Sequence, residues 1–341
     1  ILRSKCMLNN KTIAVVVPAY NEETQIGIVI DTMPDFVDRI IVVNDCSTDR
    51  TAEVVKSYIA KGEKGISIPK ANRKIEKTFF NQADIVTYEM FQEEERNMAP
   101  FTVVNDNDED RIVLIEHKRN AKVGGAIATG YLWCRNHNID CTAVMAGDAQ
   151  MDPAELKSIC SPVIERKIDY VKGNRLSHKS ASRLIPRKRR FGNSLLSALT
   201  KIASGYWFIS DTQTGYTAIS LRALQKLELD KIYPTYGVPN DILIKLNIHK
   251  CSLCEVPIKP VYAIGEQSKM RIKKVIPSIS MLLLKGFVKR IWQKYFITDF
   301  HPISLFYFLG AVGFVAPCIS SPIYSPVWTA TAFPTAHISA L

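Results

Sequence analysis

The sequence TIAVVVPAYNE at residues 12–22 decides the fold, because a short run of mostly β-branched apolar residues ends there in polar ones. Such a run is typical of a strand buried on both faces of a parallel sheet. Similar runs stand at 39–43, 111–115 and 141–146. Strands that alternate with helices predict an α/β fold, with a Rossmann-like sheet covered by helices on both faces. We expect those helices at about 22–32, 49–61, 122–137 and 153–166.

Polar and glycine residues occupy the loops that follow these four strands. Ligands bind beyond the carboxyl ends of such strands, so the loops should meet at one edge of the sheet. Asn, Asp and Gly also cap helices and form turns, which would explain a single loop of this kind. Four successive loops favour a binding site. Their residues are Asn21 and Glu22, Asn44 and Asp45, Asn120 with Gly124 and Gly125, and Asp148 to Gln150.

Charge is divided unevenly along the 341 residues. Positions 1–150 carry 18 basic and 22 acidic side chains, whereas 151–341 carry 26 and 11, and the net charge is +11. A hydrophobic content of 47% excludes a disordered chain. Residues 62–110 interrupt the strand and helix alternation with 11 acidic and 6 basic side chains, and we expect an exposed acidic insertion there.

The basic excess lies next to an apolar segment near the end of the chain. Residues 267–298 contain eight Lys or Arg and no acid, interleaved with large apolar residues, as in amphipathic helices on anionic membranes. The uncharged residues 302–321 are long enough to span a bilayer, although Pro317 and Pro322 leave a re-entrant anchor open. Membrane lipid is therefore favoured over nucleic acid. The positive-inside rule then predicts that residues 1–298 lie in the cytoplasm.

Several motifs resemble a known family. Residues 15–22 (VVVPAYNE), 43–49 (VNDCSTD) and 147–153 (GDAQMDP) resemble family 2 glycosyltransferases in their order and spacing. Later motifs, with the basic helices before a membrane segment, resemble the dolichol-phosphate mannose synthase branch and its polyprenyl-phosphate relatives. These motifs are Gly173-Asn174-Arg175, Arg190 to Asn193 and Asp211 to Tyr216. The resemblance covers about residues 11–310 without the insertion, and it implies a GT-A type fold.

The resemblance also implies an activity. One sugar would pass from a UDP- or GDP-linked nucleotide sugar to a polyprenyl or dolichyl phosphate, with inversion at the anomeric carbon and with Mg²⁺ or Mn²⁺. Combined with the charge pattern, it predicts a catalytic domain at 11–265 that contains the 62–110 insertion. Amphipathic membrane-surface helices at 266–298, an anchor at 302–321 and an uncharged tail at 322–341 would follow.

For the donor, the resemblance implies a cleft that holds the base and ribose. The family usually has two acids and a glycine where this chain has Asn44, Asp45 and Cys46. Asp45 is therefore the one acid of that motif that is carried over. The residues implied for the nucleotide are Pro18, Ala19, Tyr20, Glu22 and Asp45.

The resemblance places the metal at Asp148, which is also a candidate catalytic residue, with Gln150 as a second ligand. The family usually has an acid where Ala146 stands, so water and the diphosphate would have to complete the metal's shell. Asp152 stands directly before Pro153 at a helix start, which favours a helix cap over a metal ligand.

The acceptor phosphate needs cations, and arginine binds phosphate bidentately. Arg175 follows a predicted strand at 168–172 and matches a family arginine, so it is the main catalytic candidate on this side. Because a phosphate is already ionised near neutral pH, charge compensation can replace a general base. The resemblance further implies Arg190 and Asn193 for the acceptor phosphate, and Asp211 for orienting the donor sugar. A solvated or lipid-facing basic run explains Arg187 to Arg190 equally well. The family has an arginine where Tyr262 stands, and Lys269 is the candidate to replace it at the acceptor phosphate.

Other interpretations stay open. Asp241 caps a helix or acts as a catalytic residue, and as a general base it would suit a membrane-bound transferase that extends a glycan hydroxyl. Processive synthases of the family usually show a Gln-x-x-Arg-Trp element, which this sequence lacks. Ala146 motivates a third interpretation, a catalytically impaired nucleotide-sugar binding protein. Cys251 and Cys254 have metal spacing but no second pair nearby, which favours an incidental role over zinc.

Overall fold

The structure is a computed structural model that describes residues 8–71, 77–105, 107–181, 187–261, 272–300, 302, 305–310 and 312–313. These residues form one mixed sheet of eight strands in the order β3-β4-β2-β1-β5-β7-β6-β8. The strands are β1 (Ile13–Ala19), β2 (Arg39–Asn44), β3 (Phe101–Val103), β4 (Ile112–His117), β5 (Cys141–Val144), β6 (Tyr170–Asn174), β7 (Thr217–Ser220) and β8 (Leu253–Pro257).

The four predicted strands β1, β2, β4 and β5 lie side by side and are parallel, which confirms the α/β fold. β1 pairs with β2 and β5, and β2 pairs with β4. Strand β7 then runs antiparallel to both β5 and β6, and β8 is parallel to β6. Strands β6 and β8 therefore point the same way as β1. The carboxyl ends of six strands meet at one edge of the sheet, which we call the carboxyl edge.

Helices follow the strands close to the predicted positions. The first begins at Ile26 rather than near 22, because the carbonyl of Glu22 accepts hydrogen bonds from the backbone N–H groups of Gln25 and Ile26 in a turn. A 3₁₀ turn at Pro153–Glu155 precedes the fifth helix. The α-helices are α1 (Ile26–Asp31), α2 (Thr51–Ala60), α3 (Gln82–Asn97), α4 (Lys122–Asn136), α5 (Leu156–Arg166), α6 (Arg187–Ser204), α7 (Leu221–Leu224), α8 (Val238–Ile248) and α9 (Ile272–Arg290).

Each face of the sheet carries its own apolar core, because successive side chains of a strand point to opposite faces. Val16 of β1 belongs to the core that includes Tyr131 of α4, and Val17 belongs to the core that includes Leu156 of α5. Helix α4 approaches β1 most closely at Gly130. A Cβ atom there would lie 2.3 Å from Cγ1 of Val16, so the packing leaves no room for a larger residue.

We expect Gly130→Ala to lower the free energy of unfolding by about 1–3 kcal/mol, because the added methyl overpacks this contact. Gly192→Ala is a matched control. Gly192 also lies within a helix, but no neighbouring heavy atom stands within 4 Å of its Cβ position. Gly192→Ala should raise the free energy of unfolding by about 0.5–1 kcal/mol, because alanine is the better helix former. Urea unfolding measures both, and a Gly130→Ala chain as stable as its parent would contradict the packing described.

The acidic segment 62–110 is attached to the domain at several points. Its helix α3 has no buried residue, in keeping with an exposed insertion. However, Arg135 of α4 donates a 2.6 Å hydrogen bond to Oε2 of Glu94 and stacks its guanidinium 4.0 Å from the ring centroid of Phe91. Strand β3 pairs antiparallel with β4, and Ile68 is buried in the core that contains Val16. These contacts hold the insertion to the outer side of the sheet.

The chain divides into two compact units, Ile1–Arg290 and Ile291–Leu341. The first contains the sheet and the helices named above. In the second, a π-helix spans Ile291–Thr298, where Trp292 stacks on Phe296. Most of the predicted anchor at 302–321 and all of the tail at 322–341 lie outside the described residues. Within the part of the chain that the structure describes, no helix combines the length and apolar character needed to cross a bilayer.

Candidate active site

The backbone is strained at the carboxyl edge. Four residues in the loops directly after β1, β2, β4 and β5 adopt left-handed conformations: Asn21 (φ 57°), Cys46 (φ 60°), Lys122 (φ 65°) and Ala149 (φ 56°). This conformation costs an L-residue roughly 1–2 kcal/mol, although Asn tolerates it better. Strain of this kind concentrates at functional sites. The same conformation occurs at the opposite edge, before β1, β5, β6 and β8, at Asn9, Asn10, Asn138, Lys167 and Lys250, so it does not by itself locate a site. Among the four residues at the carboxyl edge, only Asn21 has a residue type that signals such a conformation.

The loops after β1 and β2 are tied to each other. The side-chain carbonyl of Asn21 accepts a 2.8 Å hydrogen bond from the backbone N–H of Thr48, and the backbone N–H of Asn21 donates to Oγ of Ser47. Pro18 and Ala19 pair with Val43 and Asn44 across the two strands. Residues Pro18, Ala19, Tyr20, Glu22 and Asp45 thus lie together, with the ring of Tyr20 40% exposed.

Asp45 is buried and held in a fixed orientation. Its Oδ1 accepts hydrogen bonds from the backbone N–H of Ala121 at 2.6 Å and from Nδ1 of His117 at 2.8 Å. Nε2 of His117 lies 2.9 Å from Oγ1 of Thr129 on α4. The hydrogen bonds from Ala121 and His117 both go to Oδ1 of Asp45, so Oδ2 takes part in neither of them. The sequence does not identify His117 as part of the site, and its only signal is a histidine just past the strand predicted at 111–115.

The loop after β5 brings Asp148 next to the end of β1, since the backbone N–H of Gly147 donates to the carbonyl of Pro18 at 3.2 Å. Oδ1 of Asp148 accepts a 3.1 Å hydrogen bond from the backbone N–H of Gln150. Asp152 caps the 3₁₀ turn by accepting from the backbone N–H of Ala154 at 2.9 Å. The helix-cap interpretation of Asp152 is therefore confirmed.

The oxygen atoms of this loop suit a hard divalent cation only in part. Among the described residues, no group of three or more His, Cys, Asp or Glu side chains could hold a metal ion. Asp148 and the side-chain carbonyl of Gln150 offer one carboxylate and one neutral oxygen. Mg²⁺ is commonly bound through one or two carboxylates plus substrate phosphates and water. This donor set fits a metal that arrives with a diphosphate.

Arg175 and Asp211 bind each other. The Nε and Nη2 atoms of Arg175 donate to the two carboxylate oxygens of Asp211 at 2.8 and 3.0 Å. Burial would raise the pKa of Asp211, but the hydrogen bonds and charge of Arg175, with the charge of Lys172, outweigh it and lower that pKa. Glu255 of β8 accepts from the backbone N–H groups of Ser210 and Asp211 at 2.8 and 2.9 Å. The sequence predicts separate roles for Arg175 and Asp211, whereas the structure joins them.

Lys172 lies beneath this pair and is wholly buried on β6. Its ammonium donates to the backbone carbonyl of Thr214 at 2.5 Å. Burial lowers the pKa of Lys172 to about 8, against the raising effect of Asp211 and Glu255. The sequence does not identify Lys172, because a lysine in a strand pattern indicates a solvent-facing position.

The remaining candidates lie on the helices. Asp241, in the first turn of α8, accepts from the ammonium of Lys245 and from the backbone N–H of Tyr233. The segment before it covers the start of α4, where Gly124 donates to the carbonyl of Pro234 at 2.8 Å. Arg190 and Asn193 lie on α6, and Lys269 lies outside the described residues.

The chain was compared with known proteins. A model of glycosyl transferase family 2 matches residues 14–77. A UDP-N-acetylglucosamine–dolichyl-phosphate N-acetylglucosaminyltransferase of Methanococcus voltae is 27% identical over 254 residues, which cover 74% of this chain and 87% of the relative. An uncharacterized protein of Methanocaldococcus jannaschii is 26% identical over 290 residues, 85% of this chain and 95% of the relative. The predicted resemblance to the polyprenyl-phosphate branch of family 2 is thus confirmed, and the chain is a glycosyltransferase.

A solved structure shares the fold. Glucosyl-3-phosphoglycerate synthase from Mycobacterium tuberculosis, in complex with Mn²⁺, UDP and glucosyl-3-phosphoglycerate, superposes with a TM-score of 0.51 at 18% identity. The match covers 83% of this chain and 80% of that one. The mixed Rossmann-type sheet is therefore of the GT-A kind that the sequence predicts.

The left-handed conformation of Cys46 can be tested by substitution. Cys46→Gly should raise the free energy of unfolding by about 1 kcal/mol, because glycine adopts this conformation without the steric cost. Cys46→Ala removes the thiol but keeps the Cβ atom, so it should leave the free energy of unfolding unchanged. Equal stability of the two variants in urea unfolding would show that the backbone is not strained at this position.

The buried charge of Lys172 gives a pH-dependent expectation. Its pKa of about 8 lies below the ordinary 10.5, so the cost of burying the charge is present in full below pH 8 and vanishes as the pH rises to 10.5. Lys172→Met should therefore raise the free energy of unfolding at pH 7 by up to about 3 kcal/mol. Urea unfolding at pH 7, 9 and 10.5 should show this difference shrinking, and a difference independent of pH would contradict it.

Proposed function

We propose that this glycosyltransferase moves one sugar from a UDP- or GDP-linked donor to a polyprenyl or dolichyl phosphate, with inversion at the anomeric carbon. The observation that carries the proposal is that Asp45, Asp148 and Arg175 follow different strands yet lie at one carboxyl edge. Carboxylates suited to a nucleotide and its metal thus share one edge of the sheet with an arginine suited to a phosphate. The name of the Methanococcus voltae relative, which acts on dolichyl phosphate, supports the same acceptor.

The nucleotide would be recognised through Asp45 and Tyr20. Both uracil and guanine carry ring N–H groups, and a carboxylate with a fixed orientation accepts such a hydrogen bond strongly. His117 and Ala121 both bind Oδ1 of Asp45, so Oδ2 is the atom that would accept from the base. The half-exposed ring of Tyr20 offers an apolar surface for the base or ribose.

The leaving diphosphate would lie against the Asp148 loop. A Mg²⁺ or Mn²⁺ ion held by Asp148 and Gln150 would neutralise the charge that grows on the diphosphate. The chain's own contribution is to orient those oxygens. The hydrogen bond from Gln150 N–H to Asp148 and the left-handed Ala149 fix the loop before any ligand arrives.

A phosphate acceptor would need no general base. Attack by an ionised phosphate oxygen needs no proton transfer, so positioning and charge compensation can supply the rate. Attack by a glycan hydroxyl would need a base, for which the sequence offers Asp241. The hydrogen bonds from Lys245 and Tyr233 both engage Oδ2 of Asp241 in the packing of α8, and the residue is buried, which favours the phosphate.

We also propose that the first unit works at the cytoplasmic face of a membrane. Helices α6 and α9 pack against each other. Each exposes an apolar face, and Trp207 and Phe208 are exposed directly after α6. Apolar surface beside lysines such as Lys285 and Lys289 is typical of helices that lie in a membrane interface. The exposed apolar residues are Leu195, Leu199 and Ile202 on α6, and Met281, Leu284 and Val288 on α9.

The proposed activity is tested by offering the full chain in membranes a panel of radiolabelled UDP- and GDP-sugars together with dolichyl phosphate. Label should enter the chloroform-soluble fraction with one donor and should depend on added dolichyl phosphate. Label that remains in the aqueous phase on an oligosaccharide would instead support the glycan-hydroxyl interpretation. Binding of a nucleotide sugar without transfer to any acceptor would support a catalytically impaired protein.

Asp148→Asn should lower kcat/KM by about 100-fold or more, because the diphosphate would lose its carboxylate-held cation. Asp152→Asn is the matched control, since asparagine also caps helices well and Asp152 acts as a cap. It should keep transfer within about twofold of the parent. Ala146→Asp adds the carboxylate that related enzymes have and should lower the metal concentration needed for half-maximal rate. Full activity of Asp148→Asn at saturating Mg²⁺ would remove Asp148 from the site.

A further inference from the structure

Lys172 is buried without a direct counter-ion. Its side chain has no exposed surface, and its ammonium donates a hydrogen bond to a neutral group, the carbonyl of Thr214. Within the described residues, no carboxylate lies within 4.0 Å of its ammonium. Lysine is almost never fully buried unless it is paired. A methionine would fill the same space at lower cost, so the folded state alone gives no reason for a lysine here.

The charged side chains around Lys172 explain why a lysine is present at this position. Asp211 and Glu255 stabilise its charged form, and Arg175 opposes it. Arg175 and Asp211 form the bidentate pair, and Glu255 holds the backbone of Asp211 at 2.9 Å. With Lys172 protonated, two positive and two negative side chains balance. Without it, this group carries a net charge of −1.

That balance matters when a phosphate arrives. The phosphate competes with Asp211 for the guanidinium of Arg175, whose Nε and Nη2 atoms both bind Asp211 in the ligand-free chain. Asp211 is nearly inaccessible to solvent, so a loss of Arg175 would leave a buried carboxylate with weakened compensation. Removing one partner of a buried ion pair is strongly unfavourable for this reason. A second cation close to Asp211 reduces that penalty.

We propose that Lys172 is a positioning residue for the acceptor: it compensates Asp211 and thereby lets Arg175 bind a phosphate monoester. This inference rests on the proposed function, because it takes the acceptor to be a phosphate. The bond from Lys172 to Thr214 serves the same end, since it fixes the turn that carries Asp211. Lys172 contacts neither substrate and acts only through Arg175 and Asp211.

The test measures transfer by the full chain with dolichyl phosphate as the varied acceptor. Lys172→Met should raise the acceptor KM about tenfold, as expected for the loss of one buried charge interaction. Affinity for UDP and GDP, measured by calorimetry, should stay within about twofold of the parent. Tyr206→Phe is the control, because it also removes a buried donor to a backbone carbonyl, that of Cys251, without removing a charge. It should leave the acceptor KM unchanged.

A double-mutant cycle with Asp211→Asn separates compensation from packing. Once Asp211 is neutral, no carboxylate needs compensation, so adding Lys172→Met should change the acceptor KM by less than about twofold. In unfolding experiments at pH 7, Lys172→Met should stabilise the chain more in the Asp211→Asn background than in the parent. An unchanged acceptor KM in an active Lys172→Met chain, or an equal rise in both backgrounds, overturns the inference.

Failure of the proposed function gives a different result. In that case the parent chain transfers no sugar to dolichyl phosphate, whatever stands at position 172. The unfolding cycle needs no substrate, so it still tests whether Lys172 compensates Asp211. Absence of coupling in that cycle overturns the inference independently of the activity.

Discussion

The reversal of strand β7 is the constraint on which the site depends. Thr217 of β7 lies opposite Val144 of β5 on one side and opposite Lys172 of β6 on the other, so Val144, the last residue of β5, is level with Lys172, two residues before the end of β6. Two strand spacings of 4.7–4.9 Å separate them by about 10 Å. Because β7 is antiparallel to both, β5 and β6 end at the same edge. Asp148 and Arg175 follow these two strands and therefore lie at the same edge.

The sequence predicts the strands on which the proposed donor site stands. Buried parallel strands appear as apolar runs, so β1, β2, β4 and β5 and the loops after them can be located without coordinates. Three functional features give no such signal. Lys172 and Glu255 are charged residues within strands, which sequence patterns assign to solvent. His117 looks like an ordinary strand end. The left-handed conformations at Cys46, Lys122 and Ala149 are imposed by the packed loops and not by residue type.

Stability is given up at the same edge where function is expected. Asp45 with His117 and Asp241 with Lys245 are buried charged or polar pairs, and Asp211 is buried beneath the partly exposed Arg175. Apolar residues of similar volume in such positions are often neutral or stabilising. Lys172, whose ammonium donates to the neutral carbonyl of Thr214, adds the cost of a wholly buried charge. Charge that a fold does not need for its stability is best explained by a charged ligand, and both substrates proposed here are anions.

The uneven charge of the chain follows from which strands carry which half of the site. Residues 1–150 supply β1, β2, β4 and β5 with 18 basic and 22 acidic side chains, so a nucleotide diphosphate bound there needs a cation from solution. Residues 151–341 supply β6, β8, α6 and α9 with 26 basic and 11 acidic side chains, so a lipid phosphate can be neutralised by the chain itself. On the proposed function, the divalent metal and Arg175 therefore do equivalent work for two anions. Each anion is compensated separately, and their mutual repulsion, which would otherwise oppose the approach of the acceptor to the donor, is reduced.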